Sequence, residues 1–180
     1  MMMLETYRAR RRRPLSEQSG QAMFELALLV PLLCLVMFAI IEYSRVLNFE
    51  QELVDATRQG CNMASRGTAL STAASSVAQY SGSLNLSTSG LVIITSVSRV
   101  GSVDTINGQA SSGSLSATSK IGTGVGNTAK VPANVDNIFN NNSGQTIYIT
   151  EVFYPLQQIT PIAKMWGLVL PTTLYQIGYF

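Results

Sequence analysis

The sequence predicts an α+β protein in which one long N-terminal helix, first membrane-spanning and then amphipathic, packs on a small antiparallel β-sheet. Three observations lead there. An apolar run of helical length, Leu26 through Ile41, follows a cluster of arginines. Val46, Phe49, Leu53, Ala56, Gly60 and Met63 then recur at three- and four-residue steps, the period of one helix face. Further on, Leu91–Ser98 and Gln145–Tyr154 are rich in β-branched residues and read as strands.

The chain's 180 residues hold one modest domain besides an anchoring segment. Charged residues are 12% of the chain. That is about half the usual globular share and suits a protein partly solvated by lipid or by other subunits. The formal net charge of +2 hides an asymmetry. Arg8, Arg10, Arg11, Arg12 and Arg13 all lie within residues 1–20, and the remainder carries seven basic and eight acidic residues. The body therefore has no basic face for nucleic acid, and no nucleic-acid partner is expected.

The chain has no histidine, which excludes Ser-His-Asp triads and His-ligated zinc. Asp104, Asp136 and Glu151 have no spacing that pairs them into an acid–base or metal site. No catalytic, metal or cofactor-binding residue is assigned, and the chain reads as a non-enzyme. On one continuous helix Cys34 and Cys61 would stand roughly 40 Å apart, too far for a disulfide. Cys61 reads as a packed thiol, with a cross-link between chains as the alternative.

Residues 1–45 admit three readings. A cleaved secretory signal explains the basic start, but the apolar run is too long and no small-residue site follows it. A plain membrane anchor fits the length from Gln21 to Ile41, and the arginines would keep residues 1–20 in the cytoplasm. Glu25 is unexplained by it. In the third reading the chain is cut between Gly20 and Gln21, and Glu25 becomes the fifth residue of the mature protein. The new amine at Gln21 is then a cation about one helical turn away. In a bundle, Glu25 of one subunit would pair with the amine of its neighbour, making the charge tolerable and fixing a register. Glu25 simply sitting at headgroup depth is the simpler alternative. Pro31, inside the run, reads as a mild kink, because neighbours in a membrane satisfy the freed carbonyl.

The stretch Gly20-Gln21-Ala22-Met23-Phe24-Glu25 resembles a type IV prepilin signal. The continuation Glu25-Leu26-Ala27-Leu28-Leu29-Val30-Pro31 is similar to TadE-like minor pilins (pseudopilins) of the tight adherence, or Flp, type IVb pilus system. So is the exit Ile40-Ile41-Glu42-Tyr43-Ser44-Arg45 and the alanine-bearing stretch to Gly67. General secretion pseudopilins usually show an aromatic first mature residue and a Leu-rich stretch on both sides of the glutamate. Here those places hold Gln21, Ala22 and Met23, which favours the Tad type.

The resemblance implies a pilin-like fold and a chain processed by prepilin peptidase at Gly20–Gln21. It implies assembly through Glu25 with other pilin and minor pilin subunits on an inner-membrane assembly platform, in support of adhesion and biofilm formation. Residues 1–20 are then the leader, 21–42 the transmembrane helix in the lipid bilayer, and 43–67 its amphipathic extension. Residues 68–180 form a periplasmic or extracellular α+β domain. The rival reading is a membrane-tethered binding or adhesin domain with an uncleaved anchor.

In the rest of the chain, Glu52 with Arg45 and Asp55 with Arg58 are candidate surface pairs, and Gly67 is a helix C-cap signal. Ser71 or Thr72 reads as the cap of a short helix through Tyr80. Residues 101–130, rich in Gly, Ser and Thr, read as a long loop or a weakly paired hairpin. Pro132 opens a short helix to Phe139, and Thr160–Gly167 carries another helix start and stop. Tyr175, Tyr179 and Phe180 close an edge of the sheet.

Overall fold

The computed structural model describes residues 15–133, 135, 144–157, 159 and 171–180. Helix α1 runs Leu15–Ser65, 51 residues with Pro31 inside it. No glycine interrupts it between Gly20 and Gly60, and Leu, Ala, Met, Glu and Gln supply helix propensity throughout. It stops as expected at Gly67, whose φ of +86° only glycine adopts at no cost. The Gly67 N–H donates to the Ala64 carbonyl at 3.0 Å and the Thr68 N–H to Met63 at 3.1 Å, a Schellman ending.

The chain divides after Ile41 into two compact units, Met1–Ile41 and Glu42–Phe180. The second holds the rest of α1, α2 (Leu70–Tyr80), a 3-10 turn (Gly82–Leu84) and a short α3 (Leu86–Ser89). Its four strands are β1 (Leu91–Val100), β2 (Val103–Gly113), β3 (Thr146–Pro155) and β4 (Thr173–Tyr179). They form one antiparallel sheet in the order β2-β1-β3-β4.

The helical stripe read from the sequence packs on this sheet. Val46, Phe49, Leu53, Ala56 and Ala64 of α1 join Ala73, Ala74 and Val77 of α2 against Val92, Ile94 and Val152. Each fully buried Val, Leu or Ile side chain there contributes roughly 1.5–3 kcal/mol, and each alanine less. Ala56, Gly60 and Ala64, spaced by four, keep the helix face flat where it meets the strands. A Cβ on Gly60 would lie 2.7 Å from Thr150 Oγ1 and 2.8 Å from its Cγ2. Cys61 is buried beside it, with its Sγ 3.2 Å from Thr150 Oγ1 and 3.4 Å from the Tyr148 carbonyl oxygen. Cys61 is therefore a packed thiol.

Several expectations need correction. Neither surface ion pair forms. Glu52 accepts hydrogen bonds from Ser83 Oγ at 2.8 and 3.0 Å, whereas Arg45 donates to the Gln157 carbonyl at 3.1 Å with its guanidinium 4.8 Å above the Phe49 ring. Tertiary partners outcompete neighbours on the same helix face, where a pair is worth only about 0.2–0.5 kcal/mol. Helix α2 begins at Leu70 with Ala69 in the cap position and no side-chain cap, so neither Ser71 nor Thr72 caps it.

The largest difference is in residues 101–130. Their first half is a full strand, β2, paired with β1 from Val103 to Gly113. Its small residues are a packing requirement: a Cβ on Gly108 would come 3.1 Å from Leu70 Cδ1, under the start of α2. The second half covers the other face of the sheet. Ile121, Ala129 and Val135 close over Val97, Ile106, Ile147 and Ile149, and Leu115 and Ala117 over Leu91, Ile93 and Phe153.

β4 closes an edge with the expected aromatics, and the Tyr148 and Phe180 backbones exchange two 3.0 Å hydrogen bonds. Most of the helix expected from Pro132 to Phe139, and the whole of the one expected over Thr160–Gly167, lie outside the described residues.

Two outcomes follow from the α1–sheet contact. Gly60→Val should lower stability by about 1–3 kcal/mol through overpacking, read as a fall in the urea midpoint of the full chain in mild detergent. Burial raises the Cys61 thiol pKa, and its bond to Thr150 offsets this only partly. Maleimide should therefore label Cys61 slowly in the folded chain and rapidly once denaturant is added.

Candidate functional site

The candidate residues Gly20, Gln21, Glu25 and Pro31 all lie on the first unit's part of α1. Apolar side chains surround this segment on every side. Met23 is 74% exposed, Phe24 67% and Ile40 60%. Its most apolar 18-residue window has a mean hydropathy of 2.7 and is wholly unburied, and it is the one helix among the described residues long and apolar enough to cross a membrane. A helix apolar all round needs lipid or other helices against it.

Within this surface Gln21 and Glu25 come together. The Gln21 Nε2 donates to Glu25 Oε1 at 3.2 Å across one turn. The spacing of four places both side chains on one face, so the carboxylate's hydrogen-bonding capacity is directed toward the N-terminal end of the apolar run.

Gly20 stands just before them in regular helix. A Cβ there would meet nothing within 4 Å. Glycine in a helix interior costs roughly 0.5–1 kcal/mol relative to alanine, and neither crowding nor backbone conformation at this position requires it. The helix runs on through Pro31.

Of the acidic residues noted in the second unit, Asp104 and Glu151 have separate partners. Asp104 holds Arg99 across the β1–β2 turn, with paired contacts of 2.7 and 2.8 Å. Asp136 lies outside the described residues. Glu151, fully buried on β3, is ringed by donors from the covering segment and from β4. The Ser119 hydroxyl bonds one oxygen, while the Lys120 N–H at 2.8 Å and the Tyr175 hydroxyl at 2.9 Å bond the other. The Lys120 ammonium sits 3.5 Å from the centre of the Tyr175 ring.

This arrangement ties residues 119–120 to the sheet and satisfies a charge that burial would otherwise penalise heavily. Burial first, and then the charge and hydrogen bond of Glu151, push the Tyr175 phenol far above its ordinary value. No group of three or more His, Cys, Asp or Glu side chains among the described residues has metal-binding geometry. The one signal in the sequence was a carboxylate isolated among Ile149, Thr150, Val152 and Phe153; nothing local marked Ser119 or Tyr175 as its partners.

Residues 20–62 match the family described as TadE-like protein. The match begins at Gly20, takes in Gln21, Glu25 and Pro31, and ends within the stripe that packs on the sheet. The resemblance seen in the sequence thus holds over this stretch. No curated protein and no solved structure matches the chain.

Removing the buried carboxylate should be costly. Glu151→Ala leaves three donors facing apolar surroundings and should lower stability by about 3 kcal/mol, seen as a lower urea midpoint. Tyr175 gives an alkaline signature. Its folded pKa is raised, so its contribution is whole below the ordinary value of 10.0 and is lost as pH climbs toward the folded value. Stability of the wild-type chain should fall more steeply above that pH than stability of Tyr175→Phe.

Proposed function

We propose that this chain is a minor pilin, or pseudopilin, of a tight adherence (Flp, type IVb) pilus, acting by contacts between subunits rather than by catalysis. The observation that carries this reading is the pairing of Gln21 with Glu25 at the head of an all-round apolar helix, within a TadE-like stretch.

Prepilin peptidase would hydrolyse the Gly20–Gln21 peptide bond, leaving a carboxylate on Gly20 and a free amine on Gln21. That amine, protonated at neutral pH, is a charge-assisted donor where the chain previously had a neutral amide. Glu25 then has a cation to meet, and in the bundle the amine of a neighbouring subunit supplies it. An unpaired carboxylate would resist the bilayer, so pairing favours subunits in matched register.

The inner-membrane assembly platform would gather these helices, with the arginine-rich leader cytoplasmic and the sheet domain periplasmic, and the assembled pilus would support adhesion and biofilm formation. Gly20 fits this reading. Its small size is idle in the fold but leaves the scissile bond unobstructed for a peptidase.

The N-terminus of protein extracted from membranes is the direct test. It should begin at Gln21; a start at Met1 would favour the uncleaved, tethered domain instead. Gly20→Ala should still be cut, whereas Gly20→Trp should keep the leader although the fold has room for the side chain. Glu25→Ala should be inserted and cut normally but fail to enter or support pili, and normal piliation by that variant would remove the pairing mechanism.

A further inference from the structure

Strand β2 is an edge of the sheet. The direction of its backbone groups follows from its pairing. The Ser114 N–H donates to the Gly90 carbonyl at 3.0 Å, and Ala110 and Ser112 stand opposite Ile94 and Val92. In an antiparallel pair hydrogen-bonded and non-bonded positions alternate, so Ala110 and Ser112 turn their backbone groups toward β1, and Gln109 and Ser111 turn theirs outward.

On the other side of the irregularity at Ser96/Val97 the outward positions are Asp104 and Ile106. Both are already paired. The Ala129 N–H donates to the Asp104 carbonyl at 2.7 Å, the Ile106 N–H to Asn127 at 3.0 Å and the Gly126 N–H to Ile106 at 2.8 Å. Thr105 and Thr128 form an antiparallel bridge at the same place. This added ladder ends where the chain turns away at Gly126, with φ of +86°. Among the described residues no backbone group continues it along Gln109 and Ser111.

Two features show what the remaining edge accepts. Sheet edges are usually guarded by lysine, proline or an inward charge, but Asn107–Gly113 contains no charged residue and no proline. A cavity of about 410 Å³ also lies beside Gln109 and Ser111. Leu91, Ile93 and Leu115 line it together with the hydroxyl-bearing Ser116, Thr118 and Thr123, and no ionisable side chain faces it. A residue directly opposite Gln109 or Ser111 on an added strand would share their face, and with it the cavity.

We propose that the outer edge of β2 at Gln109–Gly113 receives an extended strand from another polypeptide. That strand is uncharged at its cavity-facing positions and places a small side chain, valine or threonine, in the cavity. Main-chain hydrogen bonds to Gln109 and Ser111 would hold it, and the cavity would select its side chain. The site is independent of the cut at Gly20–Gln21 and of Glu25.

Amide hydrogen exchange on the full chain in detergent tests it, with the capped heptapeptide Thr-Val-Thr-Val-Thr-Val-Thr as probe. Saturating peptide should slow exchange of the Gln109 and Ser111 amides by about tenfold or more and leave Ala110 and Ser112, already in the ladder, unchanged. Ser111→Pro removes an outward N–H and keeps the inner ladder, so it should weaken peptide binding about tenfold without lowering the melting temperature. Ala117→Trp, which fills the cavity without touching the edge, should weaken it too, and lysine in place of the peptide's valines should abolish binding. No slowing up to the peptide's solubility limit, or equal slowing in both variants, would overturn the proposal. Slowing that grows with the protein's own concentration, without peptide, would overturn it as well, because the edge would then pair with a second copy.

Discussion

The second unit depends on how closely α1 lies on the sheet, and Gly60 sets that distance. With 2.7 Å between a notional Cβ and Thr150 Oγ1, no side chain fits at this position without displacing Thr150. The close approach lets the Cys61 thiol reach Thr150 and the Tyr148 carbonyl, and it brings Leu53 and Ala56 into one cluster with Val92, Ile94 and Val152. The opposite face can then be covered by a thin, largely irregular segment, because the helices already supply much of the apolar burial. Gly178 repeats the device on β4, where a Cβ would lie 2.8 Å from Thr57 Cβ.

A thin cover has few apolar contacts of its own and needs a directional tie. Glu151 provides one. Its carboxylate gathers a hydroxyl and a backbone N–H from the covering segment and a phenol from β4, so one buried charge fixes two parts of the chain to a central strand. Charge-assisted hydrogen bonds are stronger than neutral ones, and an unmet buried carboxylate is prohibitive, so the covering segment and the charge require each other.

The readable parts of the fold were those with local periodicity. The stripe from Val46 to Met63, the β-branched strands β1 and β3 and the glycine stop at Gly67 each carry their signal within a few residues. β2 carried none. Gly108 is selected by Leu70 above it, and the run of small residues from Gly108 to Gly113 is indistinguishable in sequence from a loop. The partners of Glu52, Arg45 and Glu151 were equally hidden, because each lies far away in sequence. The contact between Gln21 and Glu25 was legible for the opposite reason: the two lie one turn apart on one helix, and the residue spacing is the geometry.

The same helix serves two environments, and the change between them is abrupt. Ile41 is 56% exposed and Glu42 only 7%. From Leu26 to Ile41 every side is apolar, and none of the described residues of the first unit covers it. From Glu42 onward burial is one-sided, with Val46 and Phe49 turned to the core and Asn48 and Asp55 exposed. Glu42 takes part in this change, since its carboxylate accepts the Ile159 N–H at 3.4 Å. A carboxylate so engaged cannot follow the apolar run into lipid without abandoning a tertiary contact, whereas Glu25 has only the neighbouring Gln21 as its hydrogen-bond donor within the helix. Two glutamates on one helix thus have opposite characters: Glu42 is fixed by a distant part of its own fold, and Glu25 by a residue one turn away.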